Sequence, residues 1–198
     1  MTEVTSGADR SEEVAGLEVT GLTGAALVSR VEQLVRDVPD YPTAGVVFKD
    51  ITPLLADGPA FAAVVREMAA RVPGPVDLVA GMEARGFILA APVALALGAG
   101  FLPVRKAGKL PGPTARRDYQ LEYGAASVEL HPFTVPAGSR VLVVDDVLAT
   151  GGTAAATVEL LEECGAEVVG LSFLMDLTFL PGRSRLAGHH VDALLDVR

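Results

Sequence analysis

Two adjacent carboxylates followed by a small-residue loop are the residues of this chain whose spacing points most directly to chemistry. Asp145 and Asp146 come after an apolar run at 141–144, and after two more apolar residues the sequence continues as ATGGT at 149–153. Glycines let a backbone approach an anion closely, and threonine hydroxyls donate hydrogen bonds. Carboxylates accept hydrogen bonds, so they suit ribose hydroxyls. We therefore expect the acidic pair to bind a ribose and the loop to bind its phosphate, through Ala149, Thr150, Gly151, Gly152 and Thr153.

A strand and a helix are predicted to position this loop. The β-branched residues at 141–144 predict a buried strand, and the pattern at 154–164 predicts a helix. The first amides of a helix lack internal partners, and the helix dipole favours an anion there. An ordinary strand-to-helix turn is the alternative, which paired acids plus ATGGT fit poorly. No Gly-Lys-Ser/Thr follows, so the loop is not a Walker motif.

A second possible anion site is GMEARG at 81–86. It lies between a predicted strand and a predicted helix, so backbone amides could combine there with the guanidinium of Arg85. A plain turn with a surface ion pair is the alternative reading.

Cations cluster further along an otherwise acidic chain, at Arg105, Lys106, Lys109, Arg116 and Arg117. A solvated basic face would explain them in isolation, but the cluster spans a predicted strand end and a long Gly/Pro-rich segment. Such a segment is typical of a lid. Glu122 closes it and could act as a general acid or base, or could simply be solvated.

The surrounding elements alternate between strands and helices. We predict helices at 25–38 (ended by Pro39), 59–72, 86–97 and 154–164, and strands at 76–80, 101–105, 127–130, 141–144, 168–174 and 191–195. This order indicates an α/β fold with a central, mostly parallel sheet flanked by helices. We expect a disordered acidic tail at 1–22, a single domain at 23–198, and a lid at about 106–123.

Composition excludes several classes of protein. The formal net charge of -9 argues against broad electrostatic binding of nucleic acid. The single cysteine, Cys164, excludes an internal disulfide and a cysteine-based zinc site, and the three histidines lack metal-ligand spacing. No apolar run of about 18 residues predicts a membrane span, and the first residues lack signal-peptide features. We therefore expect a cytoplasmic protein with no membrane partner.

The run VLVVDDVLATGGT resembles the phosphoribosyl-diphosphate motif of the type I phosphoribosyltransferase family. Further segments are similar to the members of that family that act on adenine: DYPTAGVVFKDITPLL at 40–55, GMEARGF at 81–87, PVRKAGKLPGPT at 103–114 and YQLEYG at 119–124. The resemblance covers about residues 30 to 180 and implies the type I phosphoribosyltransferase-like fold, with a small N-terminal hood and a mobile lid loop. It also implies transfer of the phosphoribosyl group from phosphoribosyl diphosphate to adenine, giving AMP and diphosphate. Mg²⁺ held mainly by the substrate and a homodimer are implied as well.

The resemblance assigns roles to individual residues. It implies catalytic roles for Glu122, Arg85 and Arg105. It implies diphosphate binding by Met82, Glu83, Ala84, Arg85, Arg105, Lys106 and Lys109, with a cis peptide at Glu83–Ala84. It implies adenine binding by Val47, Phe48, Lys49 and Val147, and no metal site built from protein ligands alone.

Three positions depart from the pattern of the family. Ala44 replaces a common Pro, Lys49 stands where Arg is frequent, and Asp118 replaces a common Ser. Asp118 could weaken diphosphate binding, or could pair with Arg116 or Arg117. Transfer to another purine (hypoxanthine, guanine or xanthine) and a regulator that senses phosphoribosyl diphosphate are the alternative functions. The adenine-type segments argue against the first, and the negative net charge argues against the second.

Overall fold

The computed structural model describes residues 21–120 and 124–198. The predicted acidic tail therefore lies outside the described residues, apart from its last two positions. Glu122 also lies outside them. In the described part of the chain, no helix has both the length and the apolar character that a membrane crossing requires.

A seven-stranded sheet forms the centre of the fold. Its strands are β3 (Leu78–Met82), β4 (Gly100–Lys106), β5 (Ala115–Gln120), β6 (Ala125–Leu130), β7 (Arg140–Leu148), β8 (Glu167–Leu177) and β9 (Val191–Val197). They lie in the order β5-β6-β4-β3-β7-β8-β9. Strands β4, β3, β7, β8 and β9 are parallel, whereas β6 and β5 continue the sheet antiparallel. The prediction of a mostly parallel α/β sheet is thus confirmed.

Helices cover both faces of this sheet. The helices are α1 (Gly24–Leu34), α2 (Thr52–Ala56), α3 (Gly58–Ala70), α4 (Arg85–Leu97), α5 (Gly152–Glu163) and the single turn α6 (Gly182–Arg185). Leu142 and Val144 of β7 pack in the apolar cluster beneath α1, α3 and α4, while Val141 and Val143 pack in the cluster beneath α5. This alternation explains why the strand is apolar at every position from 141 to 144.

The N-terminal helix is shorter than its periodicity predicts. Helix α1 ends at Leu34, and residues Arg36–Pro39 form strand β1, which pairs antiparallel with β2 (Val47–Asp50). The predicted helix over 25–38 is therefore wrong for its last four residues. Pairing with a strand eight residues further along the chain competes with helix propensity there, and periodicity does not report such pairing.

The segment after β4 is also more regular than predicted. Residues Ala115–Gln120 form β5, an edge strand whose side chains alternate between half-buried and exposed. The segment predicted as a lid at about 106–123 therefore contains a strand that the sequence analysis did not predict. The polar side chains of these six residues hide the strand pattern, because this edge of the sheet faces solvent on every second residue.

Candidate active site

Strand β7 carries the acidic pair. The strand extends to Leu148, so Asp145 and Asp146 lie within it rather than after it. The amide of Asp146 donates a hydrogen bond to Oδ1 of Asp145 (2.8 Å). Helix α4 approaches this carboxylate closely at Gly86, where a Cβ atom would lie 2.8 Å from Oδ1 of Asp145. A glycine at this position therefore lets the helix pack against the acidic pair.

Both carboxylates are in an environment that opposes their charge. Burial raises the pKa of Asp145 well above its ordinary value, and the charge of Asp146 raises it further. Burial also raises the pKa of Asp146, which is 4% exposed, although Arg85 partly offsets this. Oδ2 of Asp146 forms an ion pair with Nε of Arg85 (2.9 Å), but among the described residues no donor is aligned with it for a hydrogen bond. A ligand that donates hydrogen bonds would compensate for this desolvation.

The small-residue loop forms a cavity of about 90 Å³, called here the inner cavity. Gly151 adopts a left-handed conformation (φ 76°), and α5 begins at the next residue. A Cβ atom on Gly151 would lie 2.8 Å from the carbonyl oxygen of Gly182, so the loop packs tightly against α6. The inner cavity is lined by Met82, Asp145, Val147, Leu148, Ala149, Thr150, Gly151, Gly152, Thr153, Ala154 and Phe173.

The inner cavity adjoins a wider one of about 380 Å³, called here the outer cavity. Both are bordered by Asp145, Val147 and Ala149. The outer cavity is lined by Glu83, Ala84, Arg85, Lys106, Asp145, Asp146, Val147 and Ala149. The peptide bond between Glu83 and Ala84 is cis, as the resemblance implied. The structure thus brings the acidic pair, the small-residue loop and the GMEARG turn together around two adjoining cavities.

Arg85 connects the acidic pair to the N-terminal hairpin, which is formed by β1 and β2. Its Nε lies 2.9 Å from Oδ2 of Asp146, and its Nη1 donates to the carbonyl oxygen of Lys49 (3.0 Å). Its guanidinium carbon lies 4.6 Å from the ring centroid of Phe48, a cation–π distance. Arg85 is therefore engaged on the side of the hairpin and the acidic pair, and its role in binding diphosphate stays a prediction.

The segment predicted to bind the base lies on β2 near this arginine. Phe48 is half-buried and packs edge-to-face on Tyr41. Val47 is about half exposed, and the ammonium of Lys49 lies 2.6 Å from Oδ1 of Asp37. The Lys49 side chain is thus occupied by Asp37, while its carbonyl oxygen faces Arg85.

Two of the five clustered basic residues, Arg105 and Lys106, contact Glu83. Arg105 Nε and the amide of Lys106 lie 3.2 and 3.0 Å from Oε2 of Glu83. Burial opposes ionisation of Glu83, but these two donors, with Lys109, lower its pKa overall. Arg105 Nη1 donates to the carbonyl oxygen of Lys109 (3.1 Å). Lys106 lines the outer cavity, whereas Arg105 and Lys109 are not among its lining residues and are connected to it through Glu83. Their role in binding diphosphate stays a prediction.

The other two cations are engaged elsewhere. Arg116 pairs with Asp118 at 3.0 Å, one of the two pairings the sequence left open, and Ser127 also donates to that carboxylate. Arg117 pairs with Glu159 and Glu163 of α5. These contacts attach β5 to the sheet and to α5, so Asp118 is already neutralised by a neighbour.

Sequence reasoning missed several residues around the site. The hydroxyl of Thr153 donates to the hydroxyl of Tyr119 on β5 (3.0 Å). A Cβ atom on Gly152 would lie 3.3 Å from both the Tyr119 ring and the guanidinium of Arg185. Glu129, on β6, accepts hydrogen bonds from the segment that carries Lys109. Tyr119 lies in a segment already singled out, whereas nothing in the sequence around Arg185 or Glu129 indicates a role.

Comparison with known proteins agrees with this geometry. Residues 54–179 match the model of the phosphoribosyl transferase domain family. The chain is 58% identical over 168 residues to an adenine phosphoribosyltransferase of Thermobifida fusca, covering 84% of this chain and 96% of that protein. It is 64% identical over 161 residues to an adenine phosphoribosyltransferase of Kineococcus radiotolerans, covering 80% and 86%.

Solved structures show the same similarity. The crystal structure of an adenine phosphoribosyltransferase from Thermoanaerobacter pseudethanolicus superimposes with a TM-score of 0.83 at 46% identity, covering 85% of this chain and 99% of that one. That of the Saccharomyces cerevisiae protein, in complex with adenine and an imino-altritol bisphosphate, gives a TM-score of 0.80 at 38% identity, covering 87% and 100%.

Proposed function

The chain belongs to the adenine phosphoribosyltransferases of the phosphoribosyl transferase domain family, and we propose how its residues carry out the family's reaction. The enzyme transfers the phosphoribosyl group of phosphoribosyl diphosphate to adenine, giving AMP and diphosphate, a step of purine salvage. The observation that carries the assignment of roles is that the inner and outer cavities share Asp145, Val147 and Ala149 in their lining. One activated sugar can span both.

The inner cavity suits the 5′-phosphate. The amides at the start of α5 lack intrahelical partners, and Thr150 and Thr153 line the cavity with hydroxyl donors. The ribose then lies beside Asp145 and Asp146, whose carboxylates accept hydrogen bonds from its two hydroxyls. Burial raises the pKa of both carboxylates, and hydrogen bonds from the ribose hydroxyls would offset that desolvation, which supports this placement.

The diphosphate occupies the side of the outer cavity where the cations lie. As the bond between C1′ and the diphosphate oxygen breaks, positive charge develops on the sugar and negative charge on the leaving group. Arg105, Lys106 and Lys109 stabilise the negative charge, together with backbone amides of Met82 and Ala84. The amide of Glu83, which the resemblance also implied, donates instead to the carbonyl oxygen of Val104 (2.9 Å). Arg85 reaches the same leaving group if it exchanges Asp146 for a phosphate oxygen.

Adenine binds between the hairpin and β7. Val47 and Phe48 flank one face of the ring, Val147 covers the other, and backbone groups at Lys49 read its polar edge. Arg85 fixes the Lys49 carbonyl with a hydrogen bond, which supports a preorganised base site. A nitrogen of adenine forms the new bond to C1′ and loses a proton, and we propose that Glu122 assists this proton transfer.

Magnesium fits the residues present. Among the described residues, no group of three or more His, Cys, Asp or Glu side chains could hold a metal ion. Mg²⁺ commonly binds through substrate phosphates and water with few protein carboxylates. We propose that the oxygens of phosphoribosyl diphosphate would hold it, with no dedicated set of protein ligands. When bound, it neutralises charge on the leaving diphosphate.

An apolar face on α4 supports a homodimer. Ile88 and Leu95 lie two turns apart on one side of the helix and are exposed, as is Phe101 on the adjacent β4. Arg85 begins this helix, so a partner subunit here would lie close to the site. Light scattering should give a dimer, and Leu95→Glu should give a monomer. Phe133→Glu, at another exposed aromatic residue, is the matched control and should stay dimeric.

A cytoplasmic location also stays a prediction.

Formation of AMP from adenine, phosphoribosyl diphosphate and Mg²⁺ tests the proposed function. Hypoxanthine, guanine and xanthine are compared at the same concentrations, and adenine should be the best acceptor by a wide margin. The double variant Asp145→Asn/Asp146→Asn should lose most of the activity. Faster turnover with another purine would assign a different acceptor.

A further inference from the structure

Glu129 is a buried carboxylate outside the catalytic groups proposed above. It lies on β6 and is 4% exposed. Its Oε1 accepts hydrogen bonds from the amides of Lys109 (2.8 Å) and Leu110 (2.9 Å), and its Oε2 accepts from the hydroxyl of Thr114 (3.4 Å). One side chain thus holds both ends of the segment 109–114, which connects β4 to β5.

These contacts keep Glu129 charged. Burial opposes its ionisation, but the amides of Leu110, Gly108 and Lys109 lower its pKa overall. Among the described residues, no Lys or Arg forms an ion pair with it, so the partners of this buried anion are backbone N–H groups and the hydroxyl of Thr114. A buried carboxylate without a cation is stable only while these donors stay in place. The carboxylate and the loop therefore hold each other in one arrangement.

The loop in turn holds the cations of the site. Lys109 offers its carbonyl oxygen to Arg105 Nη1 (3.1 Å), and Arg105 Nε contacts Glu83 (3.2 Å). Glu129 is thus connected through the Lys109 backbone to the guanidinium that faces the leaving group. Without the carboxylate, both the Lys109 backbone and the Arg105 side chain would lose a fixed partner.

We propose that Glu129 is a positioning residue for diphosphate, holding the 109–114 loop so that Arg105 and Lys109 face the leaving group. The proposal rests on the proposed function. It distinguishes two parts of the site, because AMP fills the base, ribose and 5′-phosphate positions, whereas diphosphate needs the loop.

Glu129→Gln is the substitution that tests it. The glutamine keeps the size of the side chain, but it loses the charge and turns an NH₂ group toward loop donors. Loss of a charge-assisted hydrogen bond changes an equilibrium by about 10- to 100-fold. We expect the dissociation constant of inorganic diphosphate with Mg²⁺ to rise by about that factor in calorimetric titration. The dissociation constant of AMP should change less than about twofold. The KM for phosphoribosyl diphosphate should rise while that for adenine is unchanged.

Asp77→Asn is the matched control. Asp77 also accepts a backbone amide with its carboxylate, that of Arg140 (2.8 Å), at the opposite end of the sheet. This variant should leave both dissociation constants unchanged. Glu129→Asp keeps the charge on a shorter side chain and should recover part of the diphosphate affinity. Hydrogen exchange should show faster exchange at Lys109 and Leu110 in Glu129→Gln, with other segments unchanged.

The outcomes separate the two proposals. If the wild-type enzyme forms no AMP and binds no diphosphate, the proposed function fails and this inference fails with it. If the wild type is active and Glu129→Gln binds diphosphate normally, only the inference is overturned. An equal loss of AMP and diphosphate affinity, with faster exchange across the whole chain, would also overturn it, since Glu129 would then only stabilise the fold.

Discussion

Adding one methyl group at Gly182 should damage a phosphate site that Gly182 does not line. A Cβ atom there would lie 2.4 Å from the carbonyl oxygen of Ala149 and 2.8 Å from Cγ of Leu148. The first distance is about 1 Å shorter than ordinary van der Waals contact. Either α6 or the small-residue loop (149–153) must therefore move.

Helix α6 is the less free of the two. Arg183 pairs with Asp176, which is 1% exposed, and its Nη1 donates to the carbonyl oxygen of Val191 (3.0 Å). A shift of α6 would break these contacts and leave a buried carboxylate without its cation. The displacement should therefore fall mainly on Ala149 and the loop that follows it.

The size of the effect follows from this distance. Overpacking costs about 1–3 kcal/mol, which lowers Tm by roughly 2–12 °C in a chain of this length. A misplacement of about 1 Å costs on the order of 10²-fold in rate. We expect Gly182→Ala to lower kcat/KM for phosphoribosyl diphosphate by about that factor. It should also weaken the binding of AMP more than the binding of diphosphate.

Steady-state kinetics and thermal denaturation measure both effects. Gly58→Ala is the matched control, because a Cβ atom there meets no heavy atom within 4 Å, and it should resemble the wild type. Wild-type kinetics and Tm in Gly182→Ala would refute the claim that α6 holds the small-residue loop in position.

Three further substitutions test individual side chains. Arg105→Ala should lower kcat/KM for phosphoribosyl diphosphate by about 10²-fold, the effect of roughly 3 kcal/mol of transition-state stabilisation, and a wild-type rate would contradict its role. Arg85→Ala should lower turnover by a similar factor and also lower Tm, because Asp146 loses its cation, and calorimetry with kinetics would show both. Asp145→Asn should be inactive but more stable than the wild type at pH 7. Burial raises the pKa of Asp145 in the folded state, so its native form binds more protons and stability falls as pH rises above 3.8. The Tm advantage of the variant should thus disappear as pH falls toward 3.8; a constant advantage would argue against this cause.

The centre of the site could be predicted from the sequence because its residues are local. The apolar run at 141–144, the acidic pair and the Ala149–Thr153 loop are consecutive, and a strand leading into a helix places them together without distant contacts. The wider fold class follows from the same local alternation of strands and helices.

The elements that were wrong or missed depend on contacts between distant parts of the chain. Strand β1 exists because it pairs with β2, and β5 exists because it pairs with β6. Glu129 is a charged residue in a predicted strand, so the sequence alone suggests that its side chain is exposed. Its hydrogen bonds come from residues 109–114, which lie far from it in the sequence. The proximity of α6 to the small-residue loop likewise follows from the position of β8 beside β7.

The central claim is that Asp145 and Asp146 bind the ribose hydroxyls, and a binding measurement without metal tests it most directly. Calorimetry compares AMP with 2′,3′-dideoxy-AMP, with EDTA present, on the wild type and on Asp145→Asn/Asp146→Asn. Hydrogen bonds to charged groups contribute about 1.5–3 kcal/mol, so the wild type should bind AMP at least about 10-fold more tightly. The double variant should lose most of this preference. Equal binding of the two nucleotides by the wild type would contradict the account.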